Sequence, residues 1–276
     1  MVRGGNNNSK AIAIIQARMS SERLPGKVLK PLAGKPVLWH IYQRLNDCEN
    51  IGKIIIATST NSSDNPIESF CIENNFSIYR GSLNNVLSRF INILKNNSEY
   101  SYYVRVNGDS PLLSPMFVTN QINALFFYEG DITWSFNSSS IFEGVSVHSY
   151  DSLFTVDSKS NDIMDQEHVG NLFFSDHPEL FKIVELIIPD EFVFNNIRLT
   201  LDEPEDYKLI KIIYDELWRG DPIKIEDVIN FLMENKHLLD INKNIMHKNF
   251  NIYFKSAYDT WKNVKKVGKY KYQGNM

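Results

Sequence analysis

The sequence predicts an α/β fold: a doubly wound, mostly parallel sheet with a small inserted lobe. Two observations carry this. Short β-branched runs alternate with amphipathic stretches through the first half, and the first two runs, "AIAIIQ" and "KIIIATS", are apolar at nearly every position. A strand without a polar side belongs in a sheet covered on both faces, and strand-helix alternation builds parallel sheets with right-handed crossovers.

The elements follow in order. "AIAIIQ", "KIIIATS", "FSIYRG", "YYVRVNGD" and "DITWSF" read as strands. Between them, "GKPVLWHIYQRLNDC" places Val37, Leu38, Ile41, Tyr42 and Leu45 on one helical face, and "NVLSRFINILKNN" does the same with Val86, Leu87, Phe90, Ile91 and Leu94. Further on, "VSVHSY" reads as a strand, "DIMDQEHVGNLFF" as a helix and "NIRLTLD" as another strand. Pro204 opens a helix, where its missing N–H leaves nothing unpaired, and Tyr207, Ile210, Ile213 and Leu217 form the buried stripe. "IEDVINFLMENKHLL" is a last amphipathic helix. Without repeats or long linkers, one domain spans 11–242, with an inserted lobe at about 135–190. A flexible N-terminus, 1–10, precedes it and a C-terminal extension, 243–276, follows. In that extension "WKNVKKVGKYKY" reads as a solvated or dimer-edge tail.

Composition excludes several classes of function. With 43% hydrophobic and 22% charged residues the chain has the balance of a soluble globular protein. No apolar stretch approaches the roughly 20 residues of a spanning helix, and "MVRGGNNNSK" lacks the apolar core of a secretory signal, so the chain is expected to be cytoplasmic. Cys48 and Cys71 stand outside any C-x-x-C pattern and are expected to be reduced core thiols. A net charge of -4 argues against general nucleic-acid binding, so any anion site must be local.

Such a site is legible after the first strand. "QARMSSERLPGK" brings Arg18, Arg23 and Lys27 to the carboxyl end of the sheet, where ligands of wound sheets bind, and Ser20 and Ser21 add donors. Guanidinium forks and a mobile ammonium together suit a polyphosphate. The string is not a Walker loop, because G-x-x-x-x-G-K-[ST] is absent.

"IIQARMSSERLPGKVLKPLAGKPVL" resembles the N-terminal signature of the spore-coat polysaccharide type cytidylyltransferases, relatives of the acylneuraminate and ketodeoxyoctonate cytidylyltransferases. "IIIATSTNSSDNPIESF", "YRGSLNNVLSRF", "YVRVNGDSPLL", "DQEHVGNLFF" and "NIRLTLDEPEDYKLI" recur in that family's order, so the resemblance runs from about Ala11 to Asn242. It implies a Rossmann-like nucleotidyltransferase that joins CMP from CTP to an acidic sugar, releases pyrophosphate, and commonly dimerises. Two alternatives stay open: a sugar-1-phosphate nucleotidyltransferase using another nucleotide, or a nucleotide-binding relative without catalysis.

Offsetting the charge of CTP calls for Mg²⁺ on hard oxygen ligands. In "VRVNGDS" the two-residue period puts Arg105, Asn107 and Asp109 on one face, and in "NIRLTLD" it aligns Arg198, Thr200 and Asp202. Asp109 and Asp202 match the family's metal carboxylates. Taken alone, Asp109 also reads as a turn former and Asp202 as a helix cap. The resemblance further implies Arg18 and Lys27 as catalytic, Arg18, Ser21, Arg23, Lys27, Arg80, Ser82 and Asn107 as nucleotide-binding, and Glu167, His168 and Arg198 as acceptor-binding. His168 and His148 are weak candidates for a general base. Where the family commonly has Asp and Glu on one strand face, this chain has Ser146 and His148.

Overall fold

Five consecutive apolar residues, Ala11 to Ile15, are fully buried in β1 (Ala11–Gln16), because this strand lies inside the sheet with helices on both sides. Ala11, Ala13 and Ile15 enter one core cluster while Ile12 and Ile14 enter the other, so the two-residue period feeds both faces. Residues 10–135, 140–194, 197–245 and 261–274 are described in this computed structural model. The expected flexible N-terminus lies outside them except for Lys10.

After β1 come a small hairpin, β2 (Pro31–Leu32) and β3 (Lys35–Pro36), then α1 (Val37–Asn46), β4 (Ile51–Ser59), α2 (Asn65–Glu73), β5 (Ile78–Gly81), α3 (Val86–Lys95), β6 (Tyr102–Asn107), α4 (Pro115–Tyr128) and β7 (Ile132–Trp134). The second half adds β8 (Val145–Ser149), α5 (Tyr150–Lys159), α6 (Ile163–His168), α7 (Asn171–Asp176), β9 (Ile183–Ile187), α8 (Pro204–Leu217), α9 (Ile225–Glu234) and β10 (Lys266–Lys271). The main sheet has 8 strands in the order β10-β9-β7-β8-β6-β1-β4-β5. β8 alone runs against its neighbours, antiparallel to both β6 and β7.

From β1 the chain winds outward through β4 to β5, then returns to lay β6 on the other side of β1. That reversal is the topological switch point, and the crevice outside the carboxyl ends of β1 and β6 is where such sheets bind ligands.

Helix starts follow local chemistry. Asn85 accepts from the Ser88 N–H at 2.8 Å to cap α3, Ser114 caps α4 ahead of Pro115, and Ser149 caps α5. Segment 135–190 contributes β8 and β9 to the common sheet and α5, α6 and α7 to one of its faces.

Three expectations are corrected. "DIMDQEHVGNLFF" forms two short helices, because Val169 and Gly170 both adopt left-handed backbone, at φ 57° and 78°. Of "NIRLTLD", the described residues 197–202 pair into no ladder: Ile197, Leu199 and Leu201 are buried as expected, but the backbone turns off toward α8. "WKNVKKVGKYKY" is not a solvated tail, since Trp261 is buried against Trp134 and Lys266–Lys271 forms the edge strand beside β9. Lysines on an edge strand discourage further pairing. Cys48 and Cys71 are free and buried, and burial pushes both thiols up to about 12. Among the described residues no helix is long and apolar enough to cross a membrane.

Candidate active site

The loop after β1 is pinned at both ends. Near its start, the fully buried Asp64 carboxylate accepts from the Met19 N–H at 2.7 Å and from the Ser59 hydroxyl at 2.5 Å, tying the loop to the end of β4. Near its far end, Gly26 takes φ 67° and donates its N–H to the Met19 carbonyl at 3.0 Å. The chain thereby doubles back, and Lys27 turns into the crevice. Its ammonium lies 2.6 Å from Asp109 Oδ2, 3.0 Å from Asp202 Oδ1 and 2.7 Å from the Leu201 carbonyl.

Asp109 reaches this point because β6 ends on glycine. Gly108 donates to the Gln16 carbonyl at 2.9 Å, and a Cβ there would stand only 2.8 Å from that oxygen, so any side chain would push β6 away from β1. Asp202 arrives from elsewhere: the Leu201 N–H donates to the Asp109 carbonyl at 2.8 Å. Asp202 is not the cap of α8. Glu203 holds that position in a capping box with Asp206, which leaves the Asp202 carboxylate free for Lys27, for Arg198 at 2.5 Å and for Arg23 at 3.5 Å.

Behind the pair sits a buried support. Asp206 is fully buried and receives Arg198 Nε at 3.1 Å, the Asp202 and Glu203 N–H groups at 3.1 and 2.9 Å, and the Asn242 amide at 2.9 Å. Arg198 is 6% exposed, so it braces Asp202 from within rather than facing the crevice.

The charges reinforce one another. Burial works against the Lys27 ammonium, but Asp109 and Asp202 outweigh it and hold its pKa above the usual lysine value. At Asp202 burial favours the neutral acid, yet Lys27, Arg198 and Arg23 overcome it and hold the carboxyl below its ordinary range. Arg23, bonded to Glu203 at 2.6 Å, is likewise raised despite its own desolvation. Among the described residues no cluster of three or more metal-ligating side chains occurs; the site offers two carboxylates.

The remaining expected residues are placed as follows. Arg18 and Glu167 face each other at 3.7 Å across the crevice mouth, both about half exposed at 47% and 44%. His168 lies beside them on α6, exposed at its edge; desolvation by the surrounding protein, with Arg105 and Arg18, lowers its pKa against the pull of Glu167. Ser21 is half-buried in the loop. Asn107, at the end of β6, is half-buried opposite Gln16. Ser82 is exposed and its hydroxyl accepts from the Asn85 N–H at 3.1 Å. Arg80 is spoken for: it donates to the Ser59 and Asn61 carbonyls, to Asn65, and to Glu68 at 2.5 Å, joining β5 to α2.

His148 is corrected as a general-base candidate. It is buried between Tyr103 and Phe174, with ring centroids at 5.4 and 4.7 Å, and burial together with Arg105 holds it to about 3. Glu143 was not anticipated. Burial raises its carboxyl to about 7, with Arg198 opposing and Asp202 and Asp109 adding to the rise, so it belongs to the same electrostatic site. The overlooked signal was the acid directly before Gly144: with φ 85° and a Cβ position 1.8 Å from Ser110 Oγ, this glycine marks a tight passage beside Asp109.

A switch-point crevice lined by a cationic loop and two carboxylates from separate elements lies where wound α/β sheets bind their ligands. The chain belongs to the cytidylyltransferase family, whose model matches residues 12–263. It is similar to the spore coat polysaccharide biosynthesis protein SpsF of Bacillus subtilis (strain 168), 33% identical over 80% of this chain and 93% of that protein. The 3-deoxy-manno-octulosonate cytidylyltransferase of Escherichia coli is 28% identical over 39% of this chain and 42% of its own. Among solved structures, a cytidylyltransferase from Leptospira borgpetersenii shares the fold at TM-score 0.76 and 24% identity, covering 86% of this chain and 100% of that one. Rv0371c of Mycobacterium tuberculosis, solved with manganese, does so at TM-score 0.53 and 14% identity, covering 74% and 98%.

Proposed function

We propose that this chain transfers CMP from CTP to an acidic sugar of the nonulosonic type and releases pyrophosphate. One observation supports it above the others: Asp109 and Asp202, from different elements, converge on a single cation at the switch point. Two carboxylates that share one ammonium suit a divalent cation, which would help offset the charge of a bound triphosphate. Mg²⁺ held by Asp109 and Asp202 would neutralise and orient the triphosphate.

The chain's own residues supply the rest. Arg18, Arg23 and Lys27 bind the triphosphate and stabilise the charge that builds on departing pyrophosphate, with Lys27 released from the aspartates to reach it. Ser82 and Asn107, which carry accessible polar atoms, recognise the nucleoside. Arg80 and Arg198 act one step back, as positioning residues for β5 and Asp202. Glu167 and His168 line the acceptor side. The acceptor hydroxyl oxygen bonds to the α-phosphorus as the bond to the pyrophosphate oxygen breaks, and its proton leaves to solvent; catalysis is mostly orientation and electrostatics. The reaction is assigned to the cytoplasm and to a homodimer, the latter testable by light scattering.

Pyrophosphate release is measured with each of the four nucleoside triphosphates against sialic-type acids and sugar 1-phosphates. Release is expected only from CTP with an acid. Release with a sugar 1-phosphate and another nucleotide, or CTP binding without release, would replace this assignment by one of the two alternatives.

A further inference from the structure

Among the described residues Arg105 is a buried cation without an ion-pair partner. It is 8% exposed, and its Nε and Nη1 donate to the side-chain oxygens of Gln16 at 3.2 Å and Asn171 at 2.8 Å, both neutral amides. Among the described residues no carboxylate lies within ion-pair distance of it, although the Asp109 charge acts on it from farther off. Directly across the sheet, the register sets Ser146 opposite Arg105, so the neighbouring strand supplies a hydroxyl where an acid would neutralise the charge. Burying an arginine that bonds only neutral amides is costly, and burial lowers its pKa to about 10 against the opposing pull of Tyr103 and Asp109.

The surroundings form one column on a single sheet face. At its closed end Tyr103 pairs in register with His148, sealed by Phe174; next come Arg105 and Ser146, then Asn107 with Gln16 beside it at the end of β6, and Asp109 follows in the turn beyond. Asn171, which covers Arg105, is itself exposed, so its amide can be displaced from outside. Arg18 and His168 border the same opening and feel the Arg105 charge or share its neighbourhood. Val106, Asn107 and Gly108 separate Arg105 from Asp109, and the Asp109 charge reaches the guanidinium.

We infer that Arg105 receives the carboxylate of the acceptor and selects acids over neutral sugars, an assignment that rests on the cytidyl transfer proposed above. In a 2-keto sugar acid the carboxylate is attached to the same carbon as the anomeric hydroxyl. Fixing one on Arg105 therefore aims the other toward the α-phosphorus held at Asp109 and Lys27. A guanidinium already desolvated and held by Gln16 needs little reorganisation to make a forked contact with a carboxylate.

The test compares acids with their C1 amides. Pyrophosphate release is followed with 3-deoxy-manno-octulosonate and N-acetylneuraminate, and with the amide of whichever acid is used, for the wild-type chain, Arg105→Gln and Ser146→Asp. Arg105→Gln is expected to raise the acid's KM about 10- to 100-fold, to leave the KM for CTP within about twofold, and to erase the preference for acid over amide. Ser146→Asp keeps Arg105 and gives it an internal partner, so the acid's KM rises by about 10-fold or more while thermal stability is held or increased. An Arg105→Gln enzyme that keeps the wild-type acid-to-amide ratio, or a Ser146→Asp enzyme with unchanged KM for the acid, overturns the inference alone. No release by the wild-type chain with any acid would instead overturn the transfer on which it rests.

Discussion

The Leu201 N–H donates to the Asp109 carbonyl at 2.8 Å, and this bond sets Asp202 beside Asp109 so that both carboxylates meet Lys27. Lys27→Ala is expected to lower CMP transfer by about 10²- to 10³-fold, the usual loss for a group that stabilises developing charge. Without the ammonium the two carboxylates repel, so Mg²⁺ is expected to raise the melting temperature of the variant more than that of the wild type. Equal shifts would show that the pair does not hold the cation.

Asp206 supports Asp202 through Arg198 and two backbone N–H groups. Asp206→Asn leaves the buried Arg198 without that charge and is expected to cost about 3 to 5 kcal/mol in urea unfolding, the range for breaking a buried ion pair. A loss below about 1 kcal/mol would mean that Asp202 is braced by other contacts.

Gly144 combines φ 85° with a Cβ position 1.8 Å from Ser110 Oγ. Gly144→Ala is expected to cost about 2 to 5 kcal/mol through strain and overlap together. Adding Ser110→Gly should restore the part due to overlap and leave the part due to φ. Full restoration by the second change would contradict the backbone component.

Two imidazoles make stability depend on pH. Burial lowers His40 to about 4, with the Leu32 carbonyl opposing, and burial with Arg105 lowers His148 to about 3. In the unfolded chain each takes a proton near its ordinary 6.5, whereas the folded chain refuses it until far lower pH. The unfolded state thus binds more protons in that window, so stability is full above about pH 6.5 and is lost as pH falls toward 4. His148→Leu is expected to reduce the slope of unfolding free energy between pH 6 and 4 by about 1.4 kcal/mol per pH unit. An unchanged slope would show that His148 is already charged in the folded protein.

What could be foreseen was what local pattern decides. β1 and β4 announce themselves as apolar runs and β6 by its two-residue alternation, the face of α3 follows from its spacing, and the cationic loop and Asp109 follow from their place after strands. Where long-range pairing decides, the pattern was silent. "NIRLTLD" has the alternation of a strand, but its Leu201 N–H goes to a turn after β6 and no ladder forms. Val169 at φ 57° is a rare conformation for a β-branched residue, so helical spacing could not reveal the break between α6 and α7. Arg80 and Arg198 look like ligand-binding cations in sequence, but their internal partners Glu68, Asp202 and Asp206 are set by tertiary structure. Glu143 was hidden for the same reason, since only packing brings it within the field of Asp109 and Asp202.

The most direct measurement is the anomalous difference map of a crystal of this protein grown with CTP and Mn²⁺. The account predicts one peak between Asp109 and Asp202, with Lys27 moved onto the triphosphate and the cytosine near Ser82. A peak or nucleotide elsewhere, with Lys27 still bound to both aspartates, would contradict it.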